Sequence, residues 1–524
     1  MGAESAAHGQ GGLAGRMMSV GGLTLVSRLA GFFRDIVMAA VLGAGPVADA
    51  FLVALRLPNH FRAIFAEGAF NAAFVPSYAR IREQQGTVPA AIFADRVFTL
   101  LLASQVLLLA LALLFTPAVI RLLAPGFVDD AGRFGLAVEL TRITFPYLLL
   151  MTLVTLFGGM LNAVDRFAAA AAAPVLLNLT MMLVLALAAF FPTAGHAAAW
   201  GVLIAGVLEL LLVGGDAWRS GLKVGFRRPR WDEDVKRFFA ALGPATIGSA
   251  GVQLALFADT IIASFLSVGA LSALYYADRL NQLPIGVIGI AAGTVLLPEM
   301  ARRIAASDAT GAMHAQNRAI ELTLLLAAPF LVGFLVVPEA IMRALFMRGA
   351  FTAADAAAAG ATLRAYAIGL LPFVLIRSFV ATFFARGDTF TPVKASLIAA
   401  AVNIGFKILL MGSLAQVGLA LATSIGAWVN IAIVLWFAAR AGLFEADARL
   451  RNSAGKIAVA AVALGLALWM AEPPLIQALS AWPNLRDELT LLALVGIGAF
   501  VYGVLLVTLF GRAWRQLLGG TPGG

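Results

Sequence analysis

The chain has 524 residues, 61% of them hydrophobic and 12% charged, with a mean hydropathy of +0.93, which excludes an ordinary soluble domain and points to a polytopic membrane protein. A net charge of +9 would suit nucleic acid only if the basic groups shared a solvated face with interleaved aromatics; here they lie between or inside apolar runs, so no nucleic-acid partner is expected. With no cysteine and four scattered histidines, thiol catalysis, disulfides and thiolate metal sites are excluded.

Residues 1–15 are polar, rich in Gly and Ala and without a basic start, and the first apolar run contains arginines. No cleaved signal peptide is expected, and Met17-Met18 leaves a later start open. Two apolar spans follow, at 20–42 and 48–78, yet they carry Arg28, Arg34, Asp35, Asp49, Arg56, Arg62 and Glu67. Each such charge costs at least about 2.5 kcal/mol at the centre of a lipid-facing helix, so each must face protein or water. At roughly 100° per residue, Arg28 and Asp35 share one helical face and Asp49 and Arg56 another, with Arg34 and Arg62 off those lines. Joined by the turn at 43–46, the two helices would present a mostly cationic wall to a hydrated cavity suited to an anionic substrate.

Further apolar spans lie at 97–123, 136–163, 169–191 and 197–217. The most charged stretch, 218–237, holds Arg219, Lys223, Arg227, Arg228, Arg230, Lys236 and Arg237, and reads as a linker at the membrane surface. Beyond it come spans at 240–267, 271–301, 318–342, 357–385, 392–412 and 416–439, then a last pair at 456–471 and 488–510. At about 20 residues per crossing this amounts to about 14 transmembrane helices in an all-α fold. The Lys/Arg bias of the short loops places both termini in the cytoplasm, against which Arg133, Arg348 and Arg486 are the exceptions.

An internal repeat connects the halves. Phe33-Arg34-Asp35 returns as Phe257-Ala258-Asp259, Ala54-Leu55-Arg56-Leu57 as Ala277-Asp278-Arg279-Leu280, and Asp165-Arg166-Phe167 as Asp388-Thr389-Phe390, at an offset of about 223 residues. A duplicated six-helix unit follows, its pseudo-two-fold axis along the membrane normal because the helix count per unit is even. The expected divisions are an N-lobe at 1–217, the basic linker at 218–237, a C-lobe at 238–440 and two extra C-terminal helices within 441–524.

Arg28, Arg34, Arg56, Arg62 and Arg279 outnumber Asp35, Asp49 and Asp278. A surplus of guanidinium at bilayer depth needs water or an anionic ligand, and the planar donor fork of arginine suits phosphate. Asp259, Asp388 and Asn403 offer oxygens for a coupling cation, although helix caps and salt bridges account for such residues equally well. Pro58 and Gly68-Ala69 in the second span, and Pro284 with Gly286, Gly289 and Gly293 in the eighth, read as hinges for alternating access. No P-loop, nucleophile elbow or H-E-x-x-H is present, so enzymatic activity and a catalytic cofactor are not expected.

These motifs also carry a family resemblance. Residues 27–35 (SRLAGFFRD), Asp49-Ala50-Phe51, Leu57-Pro58-Asn59, residues 64–70 (IFAEGAF), Phe74-Val75-Pro76 and residues 275–280 (YYADRL) together resemble the MurJ (MviN) family of lipid II flippases. The resemblance implies the fold of the multidrug/oligosaccharidyl-lipid/polysaccharide exporter (MOP) superfamily, with two lobes around a central cavity and a C-terminal groove for a polyprenyl tail. The implied task is moving undecaprenyl-pyrophosphate-linked peptidoglycan precursor from the inner to the outer leaflet of a bacterial inner membrane, by alternating access coupled to membrane potential or Na+. The family's cavity arginines fall on Arg28, Arg34, Arg62 and Arg279, its acidic cavity position on Asp49, and a basic position often lysine in relatives on Arg56. Asp35, Asn59, Glu67 and Asp278 are secondary cavity positions, and Gln282 stands where some relatives carry an acid. A monomer associated with cell-wall synthesis enzymes is expected. The competing readings are an exporter of another lipid-linked glycan or of small molecules, and a non-transporting scaffold.

Overall fold

In the computed structural model, which describes residues 2–62 and 69–511, every regular element among the described residues is helical. The chain forms two compact units, Met1–Gly269 and Ala270–Gly524. The first holds α1 (Gly2–Leu42), α2 (Pro46–Arg62), α3 (Ala69–Gln84), α4 (Thr87–Leu114), α5 (Thr116–Leu123), α6 (Ala131–Thr144), α7 (Pro146–Asn162), α8 (Ala168–Ala186), α9 (Ala194–Arg219) and α10 (Glu233–Ser264).

The repeat assigns α10 to the second lobe, with its expected start at 238, whereas packing groups this helix with the first unit. The reason is an aromatic cluster. Phe74 of α3 stacks on Phe70 at 5.0 Å and on Phe93 of α4 at 5.8 Å, and Phe238 of α10 meets it edge-on at 6.3 Å. All four rings are buried, and such pairs contribute about 0.5–1.5 kcal/mol each beyond their area. Ion pairs from Arg80 to Asp234, at 3.2 Å, and from Arg96 to Asp232 tie down the start of the same helix.

The second unit holds α11 (Ala270–Pro284), a π-helical segment Ile285–Gly289, α12 (Ile290–Ala305), α13 (Ala309–Val336), α14 (Pro338–Phe346), α15 (Ala353–Ile368), α16 (Leu370–Phe384), α17 (Phe390–Arg440), α18 (Ala448–Ala478) and α19 (Arg486–Phe510). The expected spans at 392–412 and 416–439 are the two limbs of α17, which breaks at Ala415, where φ is 47° and ψ is −128°. The expected span at 456–471 is too short; α18 runs from Ala448, because the charged side chains at its start are absorbed by protein rather than by lipid.

Those charges form a network around one buried carboxylate. Glu321 of α13, 1% exposed, receives Arg318 and the Ser453 hydroxyl of α18, and Arg449 Nε lies 3.3 Å away. Arg318 also donates to Asp447 at 2.7 Å, and Asp447 caps α18 through Leu450 N–H at 2.6 Å. The Tyr502 hydroxyl of α19 donates to the Leu325 carbonyl at 2.8 Å, so both C-terminal helices are fastened to α13. Glu321→Ala leaves Arg318 and Arg449 without this carboxylate, and because both cations are solvent-accessible and Arg318 keeps Asp447 the expected loss is about 1–3 kcal/mol. Thermal unfolding in detergent measures it, and an unchanged midpoint would show that the network adds nothing.

Among the described residues nine helical segments are long and apolar enough to cross a membrane, α17 among them at 51 residues. The expected crossings at 20–42, 48–78, 240–267 and 271–301 fall instead on α1, α2–α3, α10 and α11–α12. Intramembrane charge or helix breaks distinguish these elements. Pro58 lies inside an unbroken α2, and the expected hinge at Gly68 lies outside the described residues. In the eighth span Pro284 ends α11 and the π segment follows, the local rewinding that marks a functional bend.

Candidate functional site

In the first unit α1 packs along α8, and polar groups meet inside this contact. Arg34 donates through Nη2 to Asp35 Oδ1 at 2.7 Å and through Nη1 to Asn178 Oδ1 at 3.0 Å, while Asn178 Nδ2 donates to the Ser27 carbonyl at 3.1 Å. The Asp35 carboxylate, 3% exposed, is engaged by its sequence neighbour Arg34, a contact that the shared face of Arg28 and Asp35 does not announce. A long guanidinium side chain reaches back along its own helix, which face-counting at the Cα level ignores. Arg28, six residues and about 9 Å up the helix axis, is exposed.

On α2, Asp49 and Arg56 share a face but are held by different elements. Arg56 Nη1 donates to the Thr260 hydroxyl of α10 at 2.8 Å. Asp49 is fully buried; its Oδ2 accepts from Gly269 N–H at 2.8 Å and lies 3.6 Å from Arg133 Nη1 of α6. Arg133 in turn sits 4.0 Å over the Phe127 ring, and its backbone N–H is capped by Asp130. Asp49 thus faces a closed contact, contrary to its expected place on an open cavity wall, and Arg133 is a buried partner, not a loop exception. The approach here is close. Gly269 has φ +86°, and a Cβ on it would stand 2.7 Å from the Ala44 carbonyl oxygen, so this turn meets the turn at 43–46 only as glycine. Asn59 and Arg62 are half-buried near the end of α2, and Glu67 lies outside the described residues. His60 packs against Phe257 at 4.5 Å.

In the second unit Arg279 is exposed on α11, its guanidinium 4.8 Å over the Tyr275 ring one turn earlier. Asp278 accepts from Gln282 Nε2 at 3.3 Å, so the residue standing where some relatives carry an acid is here a donor to the neighbouring carboxylate. Arg377 of α16 was not anticipated. It is exposed, and its side chain lies 3.3 Å from where a Cβ on Gly289 would stand, at the end of the π segment. The single arginine of the apolar stretch Leu370–Phe384 was the available signal, as was a lone amide in the apolar run of α8 for Asn178.

Of the three residues offered for a coupling cation, Asp388 and Asn403 do not share one site. Asp388 caps α17 by accepting from Thr391 N–H at 3.0 Å, and this bond holds its carboxyl below the ordinary aspartate value. Asn403 stands fifteen residues further along the same helix, about 22 Å up its axis, beyond any shared coordination sphere. Asp259 belongs to α10 of the first unit. Among the described residues no group of three or more His, Cys, Asp or Glu side chains converges as a metal site.

A family model described as Lipid II flippase MurJ matches residues 38–477 of the chain. The chain belongs to the MurJ family. A probable lipid II flippase MurJ of Rhizobium meliloti (strain 1021) is 42% identical over 93% of this chain and 92% of its own length. The MurJ relative of Haemophilus influenzae is 36% identical over 93% and 98%. A solved lipid II flippase MurJ in an inward closed conformation aligns with a TM-score of 0.79 at 23% identity, covering 95% of this chain and 99% of that one. An inward-facing multidrug MATE transporter of the MOP superfamily aligns at 0.65 and 17% identity over 80% and 95%. At such identities the two structures speak for the fold alone, an all-helical, multi-pass architecture that this chain shares with both.

Proposed function

We propose that this chain flips lipid II, the undecaprenyl-pyrophosphate-linked peptidoglycan precursor, from the cytoplasmic to the periplasmic leaflet of a bacterial inner membrane, with both termini cytoplasmic. The family membership supports the substrate, and one observation carries the mechanism. Arg28 and Arg279, each set in a predominantly apolar stretch, present exposed guanidinium groups. Exposed guanidinium at bilayer depth is costly unless water or an anion compensates it, and its fork matches a diphosphate. In the first unit Arg34, Arg56 and Arg62 would add to the cationic groups that meet the headgroup, with Asp35, Asp49 and Asn59 among the supporting residues; in the second, Asp278 stands beside Arg279. The protein acts as a monomeric transporter without covalent chemistry, in association with cell-wall synthesis enzymes. Lipid II binding followed by native mass spectrometry tests the reading: Arg28→Gln and Arg279→Gln should each weaken it at unchanged protein level, and equal binding by both would overturn the role of these arginines.

The polyprenyl tail would lie along the C-terminal pair. A hollow of about 390 Å³ runs along α19 beside Phe500, Gly503, Val504 and Val507, and a Cβ at Gly503 meets no atom within 4 Å. Gly503→Gln therefore sets an amide into open apolar space without disturbing packing. Lipid II flux into vesicles should fall by about tenfold, corresponding to ~1–2 kcal/mol for a polar group held against hydrocarbon; unchanged flux would place the tail elsewhere. Coupling runs through Na+ or the membrane potential, and flux with and without sodium at fixed potential tells the two apart.

A further inference from the structure

The connection between α9 and α10 carries Arg219, Lys223, Arg227, Arg228 and Arg230 from Trp218 to Trp231 without one carboxylate, and residues 222–232 form no helix. It is nevertheless held in place. Gly225 N–H donates to Asp95 Oδ1 of α4 at 2.7 Å and Arg227 N–H donates to the Thr99 hydroxyl at 3.0 Å, while Phe226 meets Phe98 at 5.6 Å. Asp95, Phe98 and Thr99 stand on one face of α4, where its apolar run begins. At the far end of the connection Arg96 pairs with Asp232, and Trp231 packs on Phe239 at 5.1 Å. These residues form a strap laid on α4.

What the strap faces follows from α4 and from the balance of charge. Among the described spans α4 is the least covered by protein, with 11% of its apolar stretch buried, so the strap lies on a helix that fronts lipid. Trp218, Phe226 and Trp231 are all exposed, Phe226 by 80%, and exposed aromatics beside cations settle at the headgroup layer. The carboxylates flanking the strap are each paired already: Asp95 with Arg227, Asp216 with Arg166, Asp232 with Arg96, Glu233 with Arg237 and Asp234 with Arg80. Arg228 and Arg230, both exposed, make no ion pair among the described residues. A zwitterionic headgroup would bring an ammonium to a strap with no carboxylate of its own, whereas an anionic one meets two planar donor forks two residues apart. We propose that the strap binds the anionic phospholipid of the adjoining leaflet, with the phosphate of phosphatidylglycerol on Arg228 and Arg230 and with Phe226 and Trp231 set into the headgroup layer beside it. The hydrogen bonds to α4 hold the backbone that carries both guanidinium groups at one height on that helix. The site is independent of what the protein transports.

The chain contains no cysteine, so Pro229→Cys, exposed between the two arginines, gives the full-length protein a single attachment point for a fluorophore. In phosphatidylcholine nanodiscs, quenching by spin-labelled phosphatidylglycerol is compared with quenching by spin-labelled phosphatidylcholine at equal mole fraction. Phosphatidylglycerol should quench more strongly. Arg228→Gln or Arg230→Gln, each at an exposed position, should lower that preference by up to about fivefold, the effect of one basic group near an anionic surface, and the double variant should abolish it. Salt at about 1 M, where the screening length is about 3 Å, should weaken it in the parent. Arg451→Gln, the same change of charge at an exposed position of α18, should leave it intact. Equal quenching by the two lipids, an unchanged preference in the double variant, or an equal loss in Arg451→Gln would each overturn the proposal.

Discussion

Arg279→Ala is expected to abolish lipid II transport while the protein still accumulates and folds. The residue is exposed and its guanidinium lies 4.8 Å over the Tyr275 ring, a contact worth about 0.5–1 kcal/mol at an exposed site. Its loss costs little stability. Two charge-assisted hydrogen bonds to a phosphate contribute about 1.5–3 kcal/mol each, so losing the fork should lower flux at least about a hundredfold. Arg279→Lys keeps a point charge without the fork and should recover only part of that. Flux into vesicles and growth with the variant as sole copy measure both effects, and normal growth at normal abundance would remove Arg279 from the substrate path. Arg34→Ala is a less clean test. It also strips Asp35 and Asn178 of their shared donor, so lost transport there would mix binding with the packing of α1 on α8.

The second large effect is expected at Asp49. Arg133 and Asp49 are 6% and 1% exposed at the side chain, 3.6 Å apart. Removing one member of a buried ion pair leaves the other uncompensated, at a cost of about 3–5 kcal/mol. Asp49→Ala should therefore lower the thermal midpoint sharply and weaken the hold on Gly269. Asp49→Asn keeps an acceptor for Gly269 N–H and loses only the charge opposite Arg133. Pairing it with Arg133→Gln, which removes the stranded cation, should recover part of the stability. If the double variant is no more stable than the sum of the two single losses predicts, the pair is not coupled and Asp49 acts through Gly269 alone.

Both predictions rest on residues that are visible in the sequence for different reasons. Arg279 stands out because arginine inside an apolar run is expensive, and that cost does not depend on what surrounds it. Asp49 stands out for the same reason, but its partners do not: Arg133 lies 84 positions away in what reads as an outer loop, and Gly269 contributes a backbone N–H that no side-chain pattern announces. Asn178 and Arg377 are similar. Asn178 is the one amide of α8 and Arg377 the one charged residue of α16, and only packing shows that one braces Arg34 and the other lies against the π segment. The cation site fails in the opposite way, since residues with suitable oxygens were grouped by type while Asp388 was already satisfied as a helix cap.

The amino-acid sequence by itself determined that the protein is an all-helical membrane protein, where most of its apolar spans lie, which of them carry charge, and the family it belongs to. These follow from transfer free energies and hydrophobic run lengths, which are local properties of the chain. The tertiary structure alone decided that α10 packs with the helices before it, that Arg34 binds Asp35 and Asn178, and that Asp49 is sealed between Arg133 and Gly269. A charge declares its cost from its position in the sequence, whereas the group that offsets the cost is chosen by which helices meet, and long-range packing sets that.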